Sequence, residues 1–250
     1  MHDSPNIPRD QVPRHNLTWA GVLFAIVFPS IVTWAYFYQA ADAAEGTQRT
    51  VMAVMKGLQF AFPLVWALVV LRERPRLFGP RRDGLALGLA FGLLVTIAGW
   101  LLYALVLRDT PWFAAAIAPV REKIADFGVD SAAKFVALAT FYAAIHSLLE
   151  EYYWRWFILG QLQKLCSLWP AIVVSALGFT AHHVLVLSTY FGWWTAPTLL
   201  LSAAVAIGGA FWAWLYARTG SLYGPWLSHA VIDAGIFLVG YQMLGERIYS

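Results

Sequence analysis

Seven stretches of this chain are apolar for long enough to cross a lipid bilayer, and they leave little freedom in the fold. A spanning helix needs about 20 consecutive apolar residues. The stretches run over roughly 17–40, 50–71, 85–107, 133–162, 168–187, 197–216 and 222–244. In hydrocarbon every backbone amide must be satisfied within the protein, so segments of this length are helices. The expected fold is all-α: a polytopic transmembrane helical bundle of about seven spans, eight at the most. Residues 112–130 mix apolar side chains with Arg121, Glu122, Lys123 and Asp126, the composition of an interfacial amphipathic helix or a loop rather than a span.

Composition agrees. Of 250 residues, 60% are hydrophobic and only 12% charged, against about 25% charged in an ordinary soluble domain. Thirteen Trp, eleven Tyr and sixteen Phe suit two interfacial aromatic belts. The net charge of +3 comes mostly from one loop, so it does not point to nucleic acid. That loop, 72–83, carries Arg72, Arg74, Arg76, Arg81 and Arg82 and is cytoplasmic by the positive-inside rule. Alternation then places the N-terminus inside, in a multi-pass protein of the cell (inner) membrane. The first sixteen residues, with Pro5, Pro8 and Pro13, read as a polar tail and not as a cleaved signal peptide. Cys166 is the single cysteine, so no intrachain disulfide forms, and a structural thiol is expected. With no repeat or soluble domain in view, 1–250 reads as one integral-membrane domain. The small-residue run Ser202 to Ala210 reads as close helix packing, and the Trp-rich loop from Tyr190 to Trp194 as an interfacial anchor.

Against this background a few polar groups stand out. The fourth segment contains His146, Glu150, Glu151 and Arg155 among aromatics and aliphatics. A charge at the centre of a spanning helix costs roughly 2.5–3.5 kcal/mol, so such groups pair with each other or do chemistry. Glu151 and Arg155 are at i and i+4 and meet on one face. Glu150 points about 100° away and cannot easily share that partner. It is expected to be unpaired within its own helix, the state wanted of a general base, though a structural ion cluster is the competing reading. His146 is expected to orient its neighbours or fill the core. The fifth segment carries His182 and His183, of which only one should face a given partner, and the seventh carries His229 and Asp233, again at i and i+4. Counted from the segment ends at 1.5 Å per residue, these groups lie roughly 10 to 23 Å deep and overlap near mid-bilayer. Three helices thus bring carboxylates and imidazoles to one level.

Glu150-Glu151-x-x-x-Arg155, Phe179-x-x-x-His183 and His229-x-x-x-Asp233 resemble, in order, the three motifs of the CPBP intramembrane proteases. That family includes the CAAX prenyl endopeptidases and the abortive-infection or bacteriocin-processing proteins. The resemblance covers 133–238, which is expected to hold the catalytic core helices. It implies an intramembrane endopeptidase acting on a membrane-associated peptide or protein. Glu150 would activate the attacking water, His183 would assist proton transfer, and His229 and Asp233 would shape the oxyanion side. Glu151 and Arg155 would support them, with His182 as an extra imidazole. Asp233 stands where many members carry Asn, so it would be protonated, orient His229 or bind a metal. No H-E-x-x-H string is present. A metal-free glutamate peptidase without a cofactor is favoured, and Zn²⁺ held by His183, His229 and Asp233 is the alternative. Two other classes remain open: a proton-coupled transporter using Glu150, His183 and Asp233 as a relay, and a catalytically silent immunity or partner-binding protein.

Overall fold

A computed structural model describes residues 12–39, 45–73 and 82–244. Most of the polar N-terminal tail, and Arg74, Arg76 and Arg81 of the basic loop, lie outside them. Among the described residues there are helices and no strands. Seven helices are long and apolar enough to span a membrane: α1 (Arg14–Gln39), α2 (Gly46–Val70), α3 (Leu85–Leu107), then α5 (Ala132–Leu162), α6 (Leu168–Phe191), α7 (Ala196–Thr219) and α8 (Tyr223–Leu244). Between α3 and α5 lies α4 (Pro111–Asp126). The expected segment ends agree with these to within four residues. Most of the stretch 112–130 is a separate helix that ends at Asp126, with Phe113 and Ala116 buried and Arg121 and Glu122 exposed.

The punctuation of these helices follows from their sequence. Ser131 and Thr195 are extended residues whose side chains accept backbone N–H groups of the first turns of α5 and α7. Pro197 sits in the first turn of α7, where its missing N–H costs nothing. Gly220, at φ +63°, closes α7 in the left-handed region and lets the chain turn straight into α8. Beside the Ser131 cap, the exposed Lys134 Nζ lies 2.6 Å from Asp130 Oδ2 and holds that carboxyl below its usual range.

The second half of α5 is the axis of the bundle. Tyr153, Trp154, Phe157, Ile158 and Leu159 are all at most 1% exposed, and they pack against Val22 and Ala25 of α1, Phe179 of α6 and Trp212 of α7. Leu94, Leu105, Val136, Leu177 and Ile207, by contrast, are all 60% or more exposed. In water that pattern would be an aggregation liability; here it is the face turned to lipid. Lipid tails are as apolar as leucine, so packing detail and polar contacts hold the helices together. Tyr153 donates its hydroxyl to Ala25 O at 2.8 Å, and Trp226 donates its indole N–H to Ala144 O at 2.9 Å. These tie α5 to α1 and α8. The small-residue run in α7 does pack closely: a Cβ on Gly209 would lie 3.2 Å from the Phe179 ring and 3.5 Å from Ala176 Cα.

One feature of α5 is not legible in its composition. Phe141–His146 and Tyr152–Leu159 are π-helical and enclose a short α-helical piece, Ser147–Glu151. The wider π turns change which side chains share a face, and such insertions concentrate at functional sites. Glu150 and Glu151 sit between the two.

Candidate active site

Glu150 is 2% exposed. Its carboxylate has three imidazoles around it: His182 Nε2 at 3.4 Å from Oε1, and His229 Nε2 at 3.7 Å and His146 Nδ1 at 4.0 Å from Oε2. Two of these come from other helices, α6 and α8. Among the described residues no lysine or arginine comes within ion-pair distance of it. The expectation that Glu150 lacks a partner in its own helix therefore needs adjusting, because His146 lies one turn earlier on the same face.

Glu151 behaves as the spacing predicts. Its Oε2 lies 3.1 Å from Arg155 Nε, and both side chains are at most 1% exposed. Arg155 also donates from Nη2 to Gly209 O at 3.2 Å. Its guanidinium lies over Phe179 at 4.8 Å and near Trp212 at 5.2 Å. A buried cation is tolerable only with this much compensation, and the glycine in α7 is what brings a backbone carbonyl close enough to help.

The other oxygen, Glu151 Oε1, lies 2.8 Å from His229 Nδ1. An ionised carboxylate only accepts, so Nδ1 carries the hydrogen and donates it. Nε2 then faces Glu150 and, at 3.6 Å, Asp233 Oδ1. Trp212 stacks on the ring at 4.2 Å and 14°, and itself donates to Ser228 Oγ at 3.0 Å. His229 is thus fixed in position and tautomer by groups that do not face the opening. It also bridges the two glutamates. Adjacent carboxylates do share a partner when that partner is an imidazole with a nitrogen on each side.

His182 and His183 divide differently from expectation. His182 is 4% exposed and lies flat against Trp154, with its Nε2 toward Glu150. His183 is only half-buried, and its Nδ1 lies 2.9 Å from Phe179 O. Donation to that carbonyl leaves the Nε2 lone pair free. Both residues bring a ring nitrogen within 4.8 Å of the Glu150 carboxylate and of each other. Long side chains 100° apart can still converge on a point off the helix surface.

That triplet, Glu150, His182 and His183, is the group whose donor atoms gather closely enough for a metal ion among the described residues. His183, His229 and Asp233, expected from sequence as the alternative ligand set, are not gathered in this way. Two imidazoles and one carboxylate with a free fourth position match a catalytic Zn²⁺ donor set, and the Phe179 carbonyl would orient His183 as an outer-shell partner does. The donor chemistry therefore fits such an ion.

Burial also shows where the cluster opens. Glu150, Glu151, Arg155, His182 and His229 are buried, whereas His146, His183 and Asp233 are half-exposed. Sequence reading missed one residue on that open side, Lys56 of α2. Its signal was available: a lysine inside an apolar span is as anomalous as a glutamate. Lys56 lies within electrostatic reach of Glu150, His146 and His182. The expected anchor loop is partly seated: Phe191 packs on Phe113 at 4.9 Å, whereas Trp194 is 83% exposed. Cys166 is a free thiol whose Sγ is 3.4 Å from Leu162 O.

Fold and site together describe a multi-pass membrane protein with a carboxylate–imidazole centre that is buried on one side and open on the other. Residues 132–235, which contain every member of that centre, match the family model described as "Type II CAAX prenyl endopeptidase Rce1-like". Over this stretch, 104 of the 250 residues, the chain is similar to a family of CAAX-type peptidases, hydrolases of peptide bonds. No curated protein and no solved structure matches the chain.

Proposed function

We propose that Glu150 is the general base of an intramembrane endopeptidase, and that the chain cleaves a membrane-associated protein or peptide. The single observation that carries this reading is the buried Glu150 carboxylate facing imidazoles from two other helices. In a dry site such a carboxylate can take a proton from a water held between it and the scissile carbonyl. The water oxygen attacks the carbonyl carbon, and the carbonyl oxygen becomes an oxyanion. His183, with its Nδ1 tied to Phe179 O, presents Nε2 to accept a proton and pass it to the departing amine. His229, held by Glu151, presents Nε2 beside Asp233. A proton on that nitrogen makes the ring a cation flanked by carboxylates and a donor to the oxyanion. Asp233 then orients His229, which accounts for an aspartate where a neutral amide would otherwise donate directly. Were Zn²⁺ bound at Glu150, His182 and His183, it would supply Lewis-acid polarisation and an activated water.

We further read the chain as a single domain with its catalytic core over 133–238, in the cell (inner) membrane with a cytoplasmic N-terminus. The arginine-rich loop is the support for that orientation.

The test is cleavage of membrane-tethered peptides by purified protein in nanodiscs. Glu150→Ala and His183→Ala are expected to abolish cleavage while the protein retains its helicity. Cleavage at the wild-type rate by both variants would refute the reading.

A further inference from the structure

Lys56 sits where a lysine is hard to explain as scaffold. It lies about 10 residues from one end of α2 and about 14 from the other, roughly 15 and 21 Å at 1.5 Å per residue. That is too deep for its ammonium to reach the lipid phosphates at either surface. A charge at this depth faces a polar interior and normally has a partner there. Among the described residues Lys56 Nζ has no carboxylate within ion-pair distance and no hydrogen bond. Its contact is the ring of Phe60, at 5.6 Å.

Phe60 also gives the register. Its ring lies 6.0 Å from His146 and 6.2 Å from Tyr153, and Phe62 lies 5.8 Å from Phe157. Later residues of α2 meet later residues of α5, so the two helices run parallel here. Lys56, one turn before Phe60, is level with His146 and within about one turn of Glu150. It is half-buried, like His146, His183 and Asp233, so it belongs to the open side of the cluster. Three residues further along α2, Gln59 is fully buried, and neither of its amide atoms has a partner. The same helix thus carries an unpaired cation and an unsatisfied amide at the level of Glu150.

We infer that Lys56 is a specificity-determining subsite that binds the free C-terminal carboxylate of the substrate, with Glu150 acting on a peptide bond a few residues upstream. The inference rests on the peptidase reading above. An ammonium already compensated by Glu150 would have no need of a substrate anion. Here the two groups are near enough to feel each other yet do not pair, which leaves Lys56 free to take a second carboxylate. The C-a-a-X sequences for which the matched family is named are by definition C-terminal and end in such a carboxylate.

The experiment uses the full-length protein in nanodiscs and anchored peptides ending in a prenylated C-a-a-X sequence, each made as the free acid and as the carboxamide. The wild type is expected to cleave the acid with a kcat/KM about 10–100-fold above that of the amide, the range of a charge-assisted contact. In Lys56→Met the preference is expected to collapse to about twofold or less, chiefly through a rise in KM on the acid, with cleavage of the amide affected much less. Lys56→Arg is expected to keep the preference. Binding of the same pair to the Glu150→Gln protein provides a readout independent of turnover, and the acid is expected to bind more tightly. Equal cleavage of acid and amide by the wild type would overturn the inference and leave the peptidase reading standing. An equal loss on both substrates in Lys56→Met would also overturn it, placing Lys56 in the support of Glu150 instead. If the wild type cleaves neither peptide of the pair, the peptidase reading itself fails and takes the inference with it.

Discussion

Arg155→Met is the most informative single substitution for the packing of the site. It keeps an unbranched, flexible side chain and removes a cation that is 1% exposed and 3.1 Å from Glu151 Oε2. It also removes the donor to Gly209 O. Breaking one side of a buried pair leaves the other charge uncompensated and costs about 3–5 kcal/mol. For a chain of this length each kcal/mol lowers Tm by about 2–4 °C, so the expected fall is on the order of 10 °C. The assay is thermal unfolding in nanodiscs, followed by intrinsic tryptophan fluorescence, to which the buried Trp154 and Trp212 contribute. Combining Arg155→Met with Glu151→Gln is expected to return a large part of the loss, because the double change no longer strands a charge. A shift below about 1 kcal/mol for Arg155→Met alone would mean that Glu151 is solvated, and the sealed Arg155–Glu151–His229 chain would be wrong.

Other consequences follow from the same contacts. Glu151→Gln is expected to lower kcat by about 10–100-fold with KM little changed, since it loosens the tautomer of His229; steady-state kinetics on a tethered peptide check it. Gly209→Leu is expected to cost about 1–3 kcal/mol in unfolding measurements, because the added side chain meets Phe179 and Ala176 and forces α6 from α7. Lys134→Ala is expected to change stability by no more than about 0.5 kcal/mol, because its pair with Asp130 is exposed on both sides.

The spans were legible because a bilayer imposes length and apolarity on every helix, and the ends agree with hydropathy alone. Glu151–Arg155 was legible because i,i+4 spacing fixes a shared face. The π turns of α5 were not, since nothing in Phe141–His146 or Tyr152–Leu159 distinguishes an extra residue in the turn from an ordinary apolar run. The bridging of Glu150 and Glu151 by His229 was missed because a reading confined to one helix cannot anticipate a ring from another with a nitrogen on each side. Lys56 was missed for a simpler reason: it lies in a span with no neighbouring acid, so spacing rules gave it no partner to meet. The division between His182 and His183 depends on where α6 sits against Trp154 and Phe179, and spacing does not carry that.

The central claim is that Glu150 activates the attacking water. Its most direct test is the single-turnover cleavage rate of one tethered substrate by the wild type and by Glu150→Gln, each with and without a strong chelator. The substitution keeps shape and removes only the ability to take a proton. A loss of about 10²–10⁴-fold or more is expected in Glu150→Gln, with wild-type cleavage unaffected by the chelator if the glutamate works alone. Cleavage by Glu150→Gln at the wild-type rate would contradict the account.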